Sequence, residues 1–315
     1  MTTLEQDLRY ALRTLSRNPG YAAAAILSLA IGIGANTGIF SVANALLLQP
    51  LPYKDADRLA ILWNRSPGLN IQEDWFSTAQ YFDIKKGHSG FEQVAIAIGG
   101  NNNLTGDGEP ERVGTIRVSS NLLPMLGVEP LLGRTFLENE DATIPSNTAL
   151  LSYGMWVRRY GRDPGMVGRQ IFINQQAYQV VGVLPESFSL PREVMPTLGG
   201  AELAELVLPL PLRPNAAIDR DHEDYNIIGK LKRGVTPAQA QAEMNTITAR
   251  LRRDFPDVYP PTGGLTFSVV PLDDQVVGDI RVALLVLLGS VGFVLLIACA
   301  NVANLVLSRA LARRR

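Results

Sequence analysis

Two long stretches without a charged residue constrain this chain more than any other feature. The first runs from Tyr21 to Leu48 and the second from Val282 to Ser308. Both exceed the roughly 20 residues that a helix needs to cross hydrocarbon. Core helices of soluble domains carry a charged face and rarely stay free of charge this long. Both stretches therefore read as transmembrane helices. The first has a competitor, because Ala43-Asn44-Ala45 has the small-x-small form of a signal-peptide cleavage site. Its apolar stretch is longer than the roughly 7–15 residues of a signal-peptide core, and about twenty residues precede it. A second run of full spanning length also fits a two-pass protein, so an uncleaved anchor is expected.

Flanking charge sets the orientation. Arg9, Arg13 and Arg17 precede the first run, and Arg309, Arg313, Arg314 and Arg315 follow the second. The positive-inside tendency puts both ends in the cytoplasm. The expected organisation is a cytoplasmic leader over 1–20, a span over 21–48, an outer domain over 49–281, a span over 282–308 and a basic tail over 309–315. That places the chain in a bacterial inner membrane, with the lipid bilayer as its first partner. In the leader, Leu4, Leu8, Leu12 and Leu15 recur at helical spacing with the arginines on other faces. Thr2 with Glu5, or Thr3 with Gln6, has the form of a capping box. An amphipathic helix in the cytoplasmic interface fits, as does a plain solvated leader helix. Asn18-Pro19-Gly20 is expected to break it before the membrane run.

Inside the spans, Gly34 and Gly38 form a G-x-x-x-G with Ala30 and Ile26 on roughly the same face. Small residues let a second helix approach closely, although glycine is common in such helices. Asn36, Asn44, Asn301 and Asn304 say more. An amide in hydrocarbon needs a hydrogen-bonding partner, so these side chains are expected to face other helices. Two helices offer few partners, so the chain is expected to pack against further helices, as an oligomer or within a longer permease.

Between the spans, strand and helix signals alternate with Gly/Pro punctuation. The expected fold class is an α+β extracytoplasmic domain flanked by two transmembrane helices. Strands are expected over Arg112–Val118, Thr148–Leu151 and Phe267–Val270. Ser119 is expected to cap a short helix ending near Leu126-Gly127. Ser152 opens a helix through Trp156 to Tyr160, and Gly161 closes it. Arg169–Asn174 and Tyr178–Leu184 read as a hairpin around Asn174-Gln175-Gln176-Ala177. Thr236-Pro237-Ala238-Gln239 is a strong helix start, with the helix running to about Asp254. Asn101-Asn102-Asn103 with Gly106 and Gly108 reads as a loop, and so does Pro191 to Gly200.

Composition enters mainly through what it excludes. Lys plus Arg number 29 and Asp plus Glu 30, with no basic cluster of the kind phosphate binding needs, so no nucleic-acid partner is expected. A lone cysteine, Cys299, rules out an internal disulfide and a Cys-based zinc site. No G-x-x-x-x-G-K-[ST], G-x-S-x-G or H-E-x-x-H occurs, so ATP hydrolysis and two hydrolase types lack their motifs. No cofactor or metal is expected. Asp219-Arg220-Asp221-His222-Glu223-Asp224 comes nearest to a site. Asp221, His222 and Asp224 have the chemistry of a divalent-cation site, but a solvated acidic loop is the expectation. His88, beside Gly87 and Ser89, reads as a turn residue. Trp156 and Tyr160, one turn apart beside Arg158 and Arg159, read as buried aromatics before a ligand platform.

Taken in combination, the segments resemble a known family. R-N-P-G-Y followed by A-I-L-S-L-A-I-G-I-G-A-N-T-G-I-F-S-V resembles the start of MacB/FtsX-type permeases, in particular the ATPase-lacking duplicated orphan permease branch of Acidobacteria. L-G-V-E-P-L-L-G-R-T-F, W-V-R-R-Y-G-R-D-P-G-M-V-G-R-Q-I-F-I-N and Y-Q-V-V-G-V-L-P resemble the MacB periplasmic core domain. K-L-K-R-G-V-T-P-A-Q-A and I-A-C-A-N-V-A-N-L-V-L-S-R-A match it too. The resemblance spans nearly the whole chain. It implies a permease component, not an enzyme, in which a separate ABC ATPase drives the helices and the periplasmic domain relays the motion for efflux or extraction. Relatives handle antibiotics, peptides, toxins and lipoproteins. Their four helices per permease unit imply that this chain is the N-terminal portion of something longer. FtsX-like relatives that control cell-wall hydrolases imply the alternative, a non-transport sensor or assembly factor whose outer domain binds a partner protein.

Overall fold

A computed structural model describes residues 19–43, 51–106, 108–141, 146–188, 190, 204–212, 215–220 and 222–312. Residues 1–18 of the leader, Asn44 and the Pro191–Gly200 stretch lie outside them. The chain divides into a unit that holds both long helices and a compact unit over Pro50–Val276.

The first long helix, α1, covers Pro19–Ala43. The expected break at Asn18-Pro19-Gly20 falls at its start, and residues 1–18 lie outside the described residues. Pro19 and Gly20 form the first turn of α1, where a proline loses nothing because the first helical N–H groups have no intrahelical acceptor.

The compact unit is built on one mixed sheet. Its strands are β1 (Leu59–Ser66), β2 (Ile71–Asp74), β3 (Phe91–Thr105), β4 (Glu111–Val118), β5 (Leu132–Gly133), β6 (Thr148–Leu151), β7 (Gln170–Ile173), β8 (Gln176–Val183), β9 (Leu206–Pro209), β10 (Asn226–Leu231) and β11 (Thr266–Pro271). They run in the order β11-β1-β10-β3-β4-β9-β6-β8-β5, with β2 beside β1 and β7 bridging β3 and β8. The bridge closes β3-β4-β9-β6-β8-β7 into a ring, which hides edges that would otherwise stay unpaired.

Period-two alternation explains how both faces of the open part are used. Along β1, Leu59, Ile61 and Trp63 enter one core while Ala60 and Leu62 enter another. All five are buried, as expected of a strand covered on both sides. On the second face lie helices α2 (Thr78–Gly87) and α5 (Pro237–Asp254). They contribute Tyr81, Ile84, Met244, Ile247 and Leu251 to a core where Phe76 meets Phe267 edge-on at 5.0 Å. A third core, with Trp156 from helix α4 (Tyr153–Tyr160), fills the ring.

Local chemistry accounts for the helix ends. Thr236 and Gln239 form a complete capping box at α5, and Ser77 with Gln80 forms another at α2. Ser152 accepts from the Met155 amide and Gly161 closes α4 with a left-handed φ of 58°. The β7–β8 turn is tighter than expected. Asn174 and Gln175 both adopt positive φ, 47° and 67°, as a two-residue hairpin turn requires.

Two expectations are corrected. Ser119 does not cap the short helix α3 (Leu122–Met125); its hydroxyl oxygen accepts from the buried Ile96 amide and its hydrogen goes to Asn121. That amide sits where the β3–β4 ladder runs out of backbone partners, so the side chain supplies one. Asn101-Asn102-Asn103 is strand, not loop, paired with Gly114, Val113 and Arg112. Asn102 bonds Thr115 and Asn174, so its amide is satisfied by neighbouring strands.

Candidate functional site

Two features of the long helices bear on function: their pairing with each other, and the start of the second within the compact unit. Two described segments are long and apolar enough to cross a membrane, Ile26–Ala43 of α1 and Arg281–Asn304 of the second long helix, α6 (Leu272–Ala312). Only 11% and 17% of those windows are buried, which a soluble core helix would not tolerate.

The helices meet along a regular seam. Gly32, Asn36, Ile39 and Ala43 are the least exposed positions over that part of α1, and Leu284, Leu288, Val291, Leu295, Ala298 and Val302 match them on α6. Both series step by alternating four and three residues, the spacing of a coiled-coil seam. Gly32 lies against Leu295 and Ala298, whereas Asn36 reaches Val291, so the helices run antiparallel. A Cβ on Gly32 would come within 3.2 Å of the Ala298 Cβ. The Asn36 amide donates to the Gly32 carbonyl in its own helix and to the Val291 carbonyl across the seam, both at 3.1 Å.

Gly34 and Gly38, the residues of the G-x-x-x-G, face open space, with nothing described within 4 Å of an added Cβ. The close approach within the chain is made at Gly32, two residues earlier. Asn301 and Asn304 are exposed. The pattern that would have found Gly32 is its seven-residue phase with Asn36, Ile39 and Ala43.

Helix α6 also joins the compact unit without a loop, because β11 ends at Pro271 and α6 starts at Leu272. Leu272 is buried in the first core, Val276 packs against it, and the Trp63 indole N–H donates to the Gln275 amide oxygen at 2.9 Å. Sequence reasoning missed this anchorage, since Trp63 lies 212 residues from Gln275.

The acidic segment is solvated only in part: His222 and Asp224 are exposed, whereas Arg220 and Glu223 turn inward. Arg220 pairs with Asp83 at 2.8 Å and stacks on Phe255 at 3.8 Å. Glu223 is half-buried and accepts from Gln80 and Asn64 at 2.8 and 2.9 Å. Burial raises its pKa above the usual carboxylate value and Asp74 adds to the rise, against the lowering from the two amides. His222 is exposed beside Asp219, Asp221 lies outside the described residues, and no group of three metal-binding side chains forms among those described. Trp156 is buried with its N–H on the Asp163 carbonyl, and His88 ends α2.

Beside this segment runs a groove of about 560 Å³, lined in part by Ile98, Arg117, Tyr178, Leu210, Asp219 and Tyr225.

An α+β domain inserted between two spanning-length helices defines a class, the membrane-anchored outer domain. Within that class, the sequence matches the family model described as the MacB-like periplasmic core domain over residues 22–247, and the chain belongs to that family. The fold is similar to a domain assigned to a permease protein from Porphyromonas gingivalis, at TM-score 0.53 and 19% identity, covering 70% of this chain and 92% of that one. It is also similar to the periplasmic region of MacB from Actinobacillus actinomycetemcomitans, at TM-score 0.50 and 12% identity, covering 75% and 98%. At such identities the likeness is one of fold. Comparison with curated proteins finds none that matches.

Proposed function

We propose that the chain is a permease component of an ABC-type transporter, which carries motion between the membrane helices and an outer domain during efflux or extraction of substrate. The observation that carries the reading is the unbroken passage from β11 into α6 in a member of the MacB-like family. A helix of 41 residues is roughly 60 Å of stiff rod. Its first turn is held by Leu272 and the Trp63–Gln275 bond, so a displacement of the rod has no flexible linker in which to dissipate. The antiparallel seam ties α1 to the same rod. In this reading both termini are cytoplasmic, the compact unit is periplasmic, and a separate ATPase with further permease helices completes an oligomeric machine.

Two measurements test it. Alkaline phosphatase fused at Asn174 is expected to be active, as an extracytoplasmic reporter is. Affinity-tagged chain is expected to retain an ABC ATPase through detergent purification. A silent reporter together with a cytosolic signal from green fluorescent protein at the same site overturns the topology. Reproducible isolation without any ATPase overturns the energising partner.

A further inference from the structure

The half-buried arginines of the compact unit mostly face carboxylates. Arg58 pairs with Asp55 and Glu92, Arg159 with Glu111, and Arg220 with Asp83. Arg117, on β4, does not. Among the described residues its guanidinium reaches neutral oxygens, the Pro209 carbonyl at 3.4 Å and the Tyr178 hydroxyl at 3.3 Å. Both are long for charge-assisted bonds, which settle near 2.7–2.9 Å. Among the described residues no carboxylate lies within 4.0 Å of it. Arg117 also lines the groove described above. A guanidinium fork in a concavity, with donors to spare, is suited to a planar carboxylate.

The groove carries the opposite charge as well. Asp219 and Asp224 line it from the segment that crosses the start of α2, where the Thr78 hydroxyl donates to the Ala216 carbonyl. Asp224 is exposed, and Asp219 faces His222 at 3.0 Å. Ile98 and Leu210 supply apolar surface, and Gln176 and Asn147 supply amides. A volume of about 560 Å³ lies within the range of small-ligand clefts.

We propose that this groove binds a small zwitterion the size of an amino acid or short peptide, its carboxylate on Arg117 and its ammonium towards Asp219 and Asp224. Sites of this kind discriminate, because a ligand lacking one charged end leaves either the half-buried Arg117 or the acidic side of the groove without its partner. The proposal is independent of the transport reading, since it requires neither an ATPase nor movement of the helices.

The test is ligand-observed NMR on the full chain in detergent, with triglycine, triglycinamide and N-acetyltriglycine as probes. Wild type is expected to bind triglycine, and blocking either end to weaken binding about tenfold or more. R117Q is expected to bind triglycine no better than wild type binds triglycinamide, with R117K recovering part of the loss. D224N removes an exposed charge without disturbing a core. It is expected to weaken triglycine and to leave N-acetyltriglycine unchanged. Equal binding of triglycine and triglycinamide overturns the proposal, as does an R117Q affinity equal to wild type. So does binding of none of the three probes at about 10 mM.

Discussion

Replacing Gly32 should separate the two long helices, and replacing Gly34 or Gly38 should not. An added Cβ at position 32 lies 3.2 Å from the Ala298 Cβ, 3.3 Å from Leu295 Cδ1 and 3.6 Å from Leu295 Cα. Alanine fits if its neighbours give by a few tenths of an ångström. Leucine adds three further carbons where backbone already stands, so the helices must part. Parting them also breaks the Asn36–Val291 bond. Interhelical bonds in membranes are worth about 0.6 kcal/mol on average and up to about 1.7. Lost packing and strain add a comparable amount, so G32L should cost about 1–3 kcal/mol of pairing. At a factor of ten per 1.4 kcal/mol, the closed pair falls roughly 5- to 150-fold relative to the open one.

Cysteines at Ile39 and Leu288 give the readout, with Cys299 changed to alanine. Both positions lie one turn further along the seam from Asn36 and Val291, in the antiparallel sense. Disulfide yield under mild oxidation should fall in the order wild type, G32A, G32L, while G34L and G38L match wild type. Loss of cross-linking in G34L with full cross-linking in G32L would refute the seam.

Three other changes have defined outcomes. W63F leaves the Gln275 oxygen without its donor, a loss of about 1 kcal/mol. Hydrogen exchange in the first turns of α6 should quicken about fivefold while amides of β10 stay protected. For Glu223, the raised folded-state pKa means the folded protein binds the extra proton, so its contribution to stability falls as pH rises through that value. E223Q keeps an acceptor for Gln80 and Asn64 without the charge. Its thermal unfolding should therefore lie above wild type at neutral pH and converge with it below the ordinary glutamate range. T236A removes the side-chain cap of α5, a cost of about 1 kcal/mol. The transition of a unit this size should drop by about 2–4 °C, read by circular dichroism.

Where short-range chemistry decides, the sequence was legible. Ser152 and Gly161 bound α4, Thr236 with Gln239 starts α5, and Asn174 turns the β7–β8 hairpin, because each satisfies backbone groups within a few residues. Where distant partners decide, it was not. Asn101–Asn103 carry turn chemistry, yet β4 and β7 offer a full ladder and amide partners, and tertiary pairing overrides the local preference. Arg220 and Glu223 sit in a run of charges that implies solvation, but Asp83 and Gln80, about 140 residues earlier, draw them in. The groove at Arg117 has no motif at all. It exists because β4 and the segment before β10 meet only in the folded chain.

On the proposed topology, depth in the bilayer separates the asparagines of the candidate spans into two kinds. Asn36 lies near the middle of the Ile26–Ala43 window, and its acceptor Val291 near the middle of Arg281–Asn304. An unpaired amide costs most at the centre of the hydrocarbon, so the deepest one is the amide that the chain satisfies within itself. Asn301 and Asn304 stand towards the end of their window, exposed, where on the proposed topology headgroups and water would compete for the same bonds. It follows that N36L should open the Ile39–Leu288 cross-link much as G32L does, and that N301L and N304L should leave it intact. If the proposed assembly with further helices holds, the last two variants should instead lower the yield of cross-links between Cys299 of one copy and its neighbour. Cross-linking between copies that survives both substitutions would assign those amides to the interface and leave the oligomer to other contacts.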